Sequence, residues 1–251
     1  MIYNKRMKDR QTKHCFDHIR SVISALLVTA LAIGFPQMSQ AIPSNGTRFP
    51  PAREVEFGYE YNAMFKRTLS NSHGEVRNQD QFYTVSFGAF DWLALDGKIG
   101  MGDVGLKNSV NIPKLDFNAG FAGGYGFRIR AFEHKKLGVR LILGAQHISV
   151  HPPERSIDDE KFRSCFDDWQ GTGIVAKDFR QFTVYTGIKV SDGQLVYAIN
   201  KDNQKRLYSE NHVGMVTGLE VYLFDNKLRI GAEGRFFDET AFSTTASYLF
   251  W

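Results

Sequence analysis

Cysteine and proline are scarce in this 251-residue chain, at two and seven. Two cysteines give no disulfide framework. Within residues 54–251 the prolines are Pro113, Pro152 and Pro153. Each falls between apolar-periodic segments, as strands paired on both edges require. Long apolar runs are also missing. The longest, Val22–Phe35, has 14 residues, short of the roughly 20 a transmembrane helix needs. No sustained helical period appears after residue 54, and no phosphate or dinucleotide motif sits at a strand-to-helix junction. The glycines Gly120, Gly123, Gly124 and Gly126 fall inside one strand pattern, where they fit curvature or a crowded interior.

An excess of one charge sign is missing from most of the chain as well. The formal charge is +4. Residues 1–41 hold six of the 31 Lys and Arg but two of the 27 Asp and Glu, so residues 42–251 carry 25 of each sign. The basic pI is therefore no argument for nucleic acid. The basic residues 1–20, the apolar run to Phe35, Pro36 and the small residues Ser39 and Ala41 read together as an export signal cleaved after Ala41. Cys15 leaves with it and Cys165 remains as a lone thiol. Residues 42–53 hold three prolines and read as a tether.

From residue 54 apolar residues recur at every second position, the mark of strands with one apolar and one polar face. Val55, Phe57, Tyr59, Tyr61, Ala63 and Phe65 share a face, as do Ala119, Phe121, Gly123, Tyr125, Phe127 and Ile129. Further segments follow at 83–89, 93–101, 137–145, 182–190, 213–223, 228–236 and 242–250, with a weaker one at 194–200 after Asp192-Gly193. The pattern predicts ten strands. Short turns near 90–91, 133–136, 191–193 and 225–226 alternate with longer loops at 66–81, 103–114, 151–177 and 201–211. That is the arrangement of an all-β, antiparallel up-and-down transmembrane barrel with periplasmic turns and outer loops. A soluble barrel has the same period with the faces reversed. The aromatic-rich apolar faces and the charged polar faces favour the membrane form.

The chain stops at Tyr248-Leu249-Phe250-Trp251. A final amphipathic strand ending on an aromatic residue resembles the assembly signal of Gram-negative outer-membrane proteins. Here Tyr248 and Phe250 are in register with the apolar face and Trp251 is one past it. The resemblance covers residues 54–251 as a class. It implies an outer-membrane location, the barrel-assembly machinery as partner, and contact with outer-membrane lipid and lipopolysaccharide.

On the predicted lumen face lie Glu54, Glu56, Glu60, Asp96, Glu220 and Glu233. They are matched by Lys98, Arg128, Arg130, Arg140, Lys189, Arg229 and Arg235. Unpaired charge in such an interior is costly, and about ten strands make a narrow barrel. The expectation is a lumen closed by paired charges in a non-enzymatic protein. Its role is structural or surface-binding, through loops 66–81, 103–114 and 151–177. A narrow porin for small solutes is the transport alternative.

The enzymatic alternative rests on His147 and Ser149, two apart on one strand and so on one face. A His-x-Ser pair on the outer surface of a barrel resembles the outer-membrane phospholipase and the lipid A deacylases. The resemblance implies Ser149 as nucleophile and His147 as base. The Asn-Gly or Asn-Ala of those families is replaced by Val150-His151-Pro152. Glu154 and Asp158 are candidates for the orienting acid. The acidic residues Asp158, Asp159, Glu160, Asp167 and Asp168 lack calcium-loop spacing. His73, His134, His151 and His212 lack zinc spacing, so no metal or cofactor is expected.

Overall fold

The computed structural model describes residues 46–110, 114–157, 160–200 and 204–250. The export signal, the tether up to residue 45, Asp158 and Trp251 lie outside them. Twelve strands follow in chain order: β1 (Val55–Thr68), β2 (Glu75–Phe90), β3 (Leu93–Lys107), β4 (Leu115–His134), β5 (Val139–His151), β6 (Arg155–Ile157), β7 (Glu160–Asp178), β8 (Phe182–Ile199), β9 (Lys205–Tyr208), β10 (Val213–Leu223), β11 (Leu228–Phe236) and β12 (Thr240–Phe250). Ten of them form the wall. The order β7-β5-β4-β3-β2-β1-β12-β11-β10-β8 closes through a β7–β8 pairing, and every ladder is antiparallel. β6 and β9 are short additions, paired to β7 and β8 at the loop end.

The start of β1, the end of β12 and the turns after β2, β4, β7 and β10 share one end of the barrel, the turn end. The sequence places ten strands, but two differences offset each other. The predicted loop 151–177 contains wall strand β7, and the predicted turn at 191–193 lies inside the single strand β8. The third short turn is at 179–181 instead. β7 is hard to read because its alternation reverses halfway. Near the loop end Phe162 and Phe166 point inward, while further down Asp168 and Gln170 do.

The faces decide what solvent the barrel is built for. Tyr83, Ile188, Phe57, Ile99 and Tyr125 point outward, with Tyr83 71% and Ile188 64% exposed. Inward, Arg67, Lys189, Glu60, Arg235 and Glu220 are buried at 1% or less. A soluble barrel would bury the first group and expose the second. This inversion is that of a transmembrane barrel.

The lumen is packed in layers. At the turn end Glu56 pairs with Arg48 (2.6 Å) and Arg229 (3.0 Å), Arg229 with Glu220 (2.7 Å), and Asp96 with Arg128 (2.8 Å). Residues 46–50, within the segment that reads as a tether, are buried in this mouth. Arg128 donates to the Gly46 and Arg48 carbonyls, Arg140 to the Thr47 carbonyl, and Thr47 to Glu220. Gly46 has φ +79°, and a Cβ there would strike the Arg229 guanidinium. An apolar layer of Phe49, Ala94, Ile142, Ile174, Ala176, Tyr185 and Val216 lies beside this network.

The middle layer is again ionic. Glu60 holds Lys98 at 2.7 Å. Arg67 meets Asp168 (2.9 Å), Asp238 (3.3 Å) and Glu239 (2.6 Å). Lys189 takes Asp238 and Glu239 at 2.6 Å each, and Arg235 takes Glu239 (2.6 Å) and Glu233 (3.3 Å). The β11–β12 turn supplies Asp238 and Glu239 by folding inward at Phe237, where φ is +79°. Toward the loop end the lumen becomes an apolar core containing Met64, Val104, Leu106, Leu115, Phe117, Val150, Phe162, Phe166 and Leu195.

Most charges that read as lumenal from the sequence lie in these layers. Glu54 instead precedes β1, half-buried at the rim. Arg67 escapes the sequence pattern because a bulge between Met64 and Lys66 shifts the parity of β1. Asp168 lies on β7, which the pattern hides, and Asp238 and Glu239 lie in a turn. At the seam, Phe250 packs edge-on against Phe57 at 5.7 Å and Tyr248 at 5.0 Å, on the outward face.

Candidate functional site

Strands β4, β5 and β7 run side by side, and their outward residues form rows. Tyr125, His147 and Trp169 are one row, fixed by the pairings Tyr125↔His147 and His147↔Trp169. Their rings lie 5.5 Å (Tyr125–His147), 4.3 Å (His147–Trp169) and 6.1 Å (Tyr125–Trp169) apart. Amphipathic aromatic rings in a band mark the edge of the hydrocarbon layer. On β5 and β7 the outward face turns from apolar to polar at this row, with Ser149, His151, Asp167 and Cys165 beyond it.

Ser149 and Asp167, paired in register, are the next row toward the loop end. His151 and Cys165 follow. Ser149 Oγ lies 2.5 Å from Asp167 Oδ1 and 2.7 Å from His151 Nε2. His147 Nε2 lies 3.6 Å from the same Asp167 oxygen. The sequence motif assigns the base to His147. The structure sets His147 on the acid and His151 on the hydroxyl. Of the acids expected to orient the histidine, Glu154 is turned to Lys161 (3.5 Å) and Arg163 (3.7 Å). The acid at the cluster is Asp167, which touches His147 and the Ser149 hydroxyl, and the sequence hides it because β7 reads as loop. His151 has a legible signal, since it shares the parity of His147 and Ser149.

Burial opposes charge on Asp167, but bonds from His147 and Ser149 and the nearby imidazoles hold its carboxyl below the usual range. Cys165 Sγ lies 3.5 Å from Ser149 Oγ and 3.8 Å from His151 Nε2. Burial, with the Asp167 charge beside it, pushes the Cys165 thiol up to about 11. The thiol stays protonated near neutral pH, and the Ser149 hydroxyl is the group nearer to His151 Nε2, at 2.7 Å against 3.8 Å for the thiol. That hydroxyl has one proton and two neighbours. It donates to Asp167 while His151 Nε2–H donates to it, or it donates to an unprotonated His151 Nε2. The second state is the one that lets an imidazole withdraw the proton as Oγ attacks. A cavity of about 430 Å³, lined by His151, Arg163, Cys165, Tyr197 and Gln204 among others, opens beside the cluster.

The site is rigidly founded. Ile148 and Val150, which alternate with Ser149, point into the apolar core, as does Phe166 beside Asp167. Side chains held by packed neighbours keep their geometry. Among the described residues no group of three His, Cys, Asp or Glu is arranged to hold a metal ion.

No protein-family model and no curated protein matches the chain. Among solved structures it is similar to the transport unit of the autotransporter AIDA-I from Escherichia coli, at 11% identity and a TM-score of 0.45, over 83% of this chain and 93% of that one. It is also similar to the translocator domain of the autotransporter NalP from Neisseria meningitidis, at 12% identity and a TM-score of 0.43, over 92% and 96%. The outer membrane protease OmpT from Escherichia coli gives 9% identity and a TM-score of 0.41, over 82% and 99%.

Proposed function

We propose that this chain is an outer-membrane protein of a Gram-negative bacterium that hydrolyses acyl esters of outer-leaflet lipid at Ser149. One observation carries the reading. The Ser149 hydroxyl, in bonding distance of His151 and Asp167, stands on the lipid-facing surface one row beyond the Tyr125–His147–Trp169 band. That is the level of lipid headgroups, where ester carbonyls lie. In the proposed reaction Ser149 Oγ attacks the carbonyl carbon while His151 Nε2 takes its proton. His151 then returns that proton to the leaving alkoxide, and the acyl group stays on Ser149. Water, deprotonated by His151, attacks the acyl-serine carbonyl. The fatty acid leaves, and the proton passes back to Ser149. Asp167, with His147 on its other side, stabilises the transient imidazolium. A positioned base of this kind contributes about 10²–10⁴-fold.

The test is fatty-acid release from phospholipid and lipopolysaccharide by the refolded protein, followed by mass spectrometry. Ser149→Ala should abolish it. Equal release by wild type and variant would sink the nucleophile role.

A second reading is a structural or surface-binding protein without turnover. The strands that continue past the membrane over their own apolar core favour it, because they make a stiff platform for loops at the outer face. Binding of lipopolysaccharide with no released acid, equal in Ser149→Ala, would support this reading over the first. The porin alternative is disfavoured by the packed ionic and apolar layers of the lumen. Stepwise single-channel currents in planar bilayers would restore it. The outer-membrane assignment draws on the export signal, the terminal aromatic residues and the apolar belt. Fractionation with heat-modifiable gel mobility tests it.

A further inference from the structure

We propose that the turn-end mouth of the barrel, which faces the periplasm in the orientation above, binds a phosphate group. A cavity of about 270 Å³ opens there, lined by Arg48, Arg130, Arg140, Arg180, Asp178 and Phe49 among others. Four guanidinium groups face it against one carboxylate. Two of the four are engaged within the fold. Arg48 pairs with Glu56 at 2.6 Å, and Arg140 with Asp178 at 2.8 Å through Nε.

The other two have donors to spare. Arg130 reaches Glu133 through one terminal nitrogen at 3.1 Å, while its buried Nε has no hydrogen-bond partner. A buried donor without an acceptor is costly unless a ligand supplies one. Arg130 also lies over the Phe49 ring at 4.9 Å, which holds its guanidinium at the cavity. A planar guanidinium fork suits the two oxygens of a phosphate. Arg180 stands exposed on the 179–181 turn, across the cavity.

The charge balance along the lumen points the same way. Around the cavity the cations Arg48, Arg130, Arg140 and Arg180 stand against Asp178. The middle layer pairs the carboxylates Glu60, Asp168, Glu233, Asp238 and Glu239 with Arg67, Lys98, Lys189 and Arg235. The cation surplus is local to the cavity, and the layer beyond it has one carboxylate more than it has cations, so an anion is drawn to the mouth and no deeper. Two sources present a phosphate there: a phospholipid headgroup of the inner leaflet, and a soluble phosphate. The stacked rings of Phe179 and Phe182, 4.6 Å apart on the outer wall beside the cavity, bring it close to headgroup level.

The experiment uses the refolded full-length protein in zwitterionic micelles. Equilibrium dialysis against radiolabelled inorganic phosphate gives one arm. Retention of phosphatidylglycerol over phosphatidylcholine in mixed micelles gives the other. Binding in the first arm supports a soluble ligand, and binding in the second alone supports a lipid headgroup. Arg130→Gln with Arg180→Gln should weaken either at least tenfold. Arg180→Gln alone, at an exposed turn position that folding does not need, should weaken it severalfold. Arg77→Gln, at the opposite end, should leave it unchanged. No binding in either arm, or equal binding by Arg180→Gln and wild type, overturns the proposal.

Discussion

Replacing Arg67 by methionine should destabilise the barrel by about 3 kcal/mol, and the structure says where that cost arises. Arg67 is fully buried and touches three carboxylates, at 2.9, 3.3 and 2.6 Å. Two of them keep other cations when it is removed. Glu239 retains Lys189 and Arg235, and Asp238 retains Lys189. Asp168 is different. It keeps the Gln170 amide and the more distant charge of Lys189 but no direct ion pair among the described residues. Removing one partner of a buried pair costs about 3–5 kcal/mol. One orphan rather than three places this site at the low end. The middle layer already has five carboxylates against four cations, so removing an anion should hurt less than removing a cation. Asp168→Asn leaves Arg67 two acids and should cost about 1.5 kcal/mol, the low end of the worth of a hydrogen bond to a charged group. The double variant Arg67→Met with Asp168→Leu removes both charges and should return to within about 1 kcal/mol of wild type. The assay is urea unfolding of the barrel in lipid vesicles, read by the heat-modifiable gel shift, for wild type, both single variants and the double variant. A coupling of at least about 2 kcal/mol is expected between residues in such contact. If Arg67→Met unfolds with the wild-type midpoint, the ionic layer does not hold the barrel as described. A double variant no more stable than Arg67→Met would refute the reasoning equally.

Three further outcomes are expected. His151→Ala should lower ester hydrolysis by about 10²–10⁴-fold, the contribution of a positioned base, whereas His147→Ala should lower it much less. Equal losses, measured by fatty-acid release, would return the base to the residue that the sequence motif assigns. Ile188→Arg places a charge on the belt at a position 64% exposed and should cost about 2–4 kcal/mol in a bilayer. No cost in vesicles would mean that this face meets water. Phe166→Ala should leave a cavity in the loop-end core and cost about 3–5 kcal/mol. The loss should appear in unfolding midpoints without blocking membrane insertion.

Strands β1–β5 and β10–β12 are legible in the sequence because they alternate strictly where the wall crosses the membrane. Each outward residue there meets lipid and each inward residue meets charge, so period two and composition agree. They cease to agree past the membrane edge. There the lumen fills with Phe162, Phe166, Val150 and Leu195, and the outward face carries Ser149, Asp167 and Arg163. In β7 the change falls in mid-strand, so neither face reads as uniformly apolar. β8 suffers from Asp192-Gly193, which looks like a turn. The backbone runs straight through it, and Ser209 donates to the Gly193 carbonyl from the neighbouring strand end. The His147 and Ser149 pair is visible because it is local. The acid is not, since its approach depends on the register of a strand eighteen positions further on. Bulges hide residues in a similar way: Arg67 has the wrong parity until the shift after Met64 is counted.

The crossover in β7 also explains why the cluster sits where it does. Trp169 points outward and Asp168 inward, while two residues earlier Asp167 points outward and Phe166 inward. Both faces change character within a single pair of residues. A wall that is apolar outside must be ionic or packed inside, and a wall that is polar outside is free to hold an ordinary apolar core. On β7 that exchange falls within one strand repeat, about 7 Å along the chain for two residues, while on β4 the exposed Phe121 stands in register with His151, further toward the loop end. Ser149 lies on the polar side of the edge, with Ile148 and Val150 anchored in the core and the aromatic band directly beneath. A hydroxyl one row deeper would face acyl chains, with its imidazole and carboxylate desolvated at a cost of several kcal/mol. One or two rows higher it would clear the headgroups. In the proposed reaction, the row at Ser149 and Asp167 is the level on this wall at which a charged acid–base pair stays hydrated while its hydroxyl reaches the carbonyl of a lipid that remains in the bilayer.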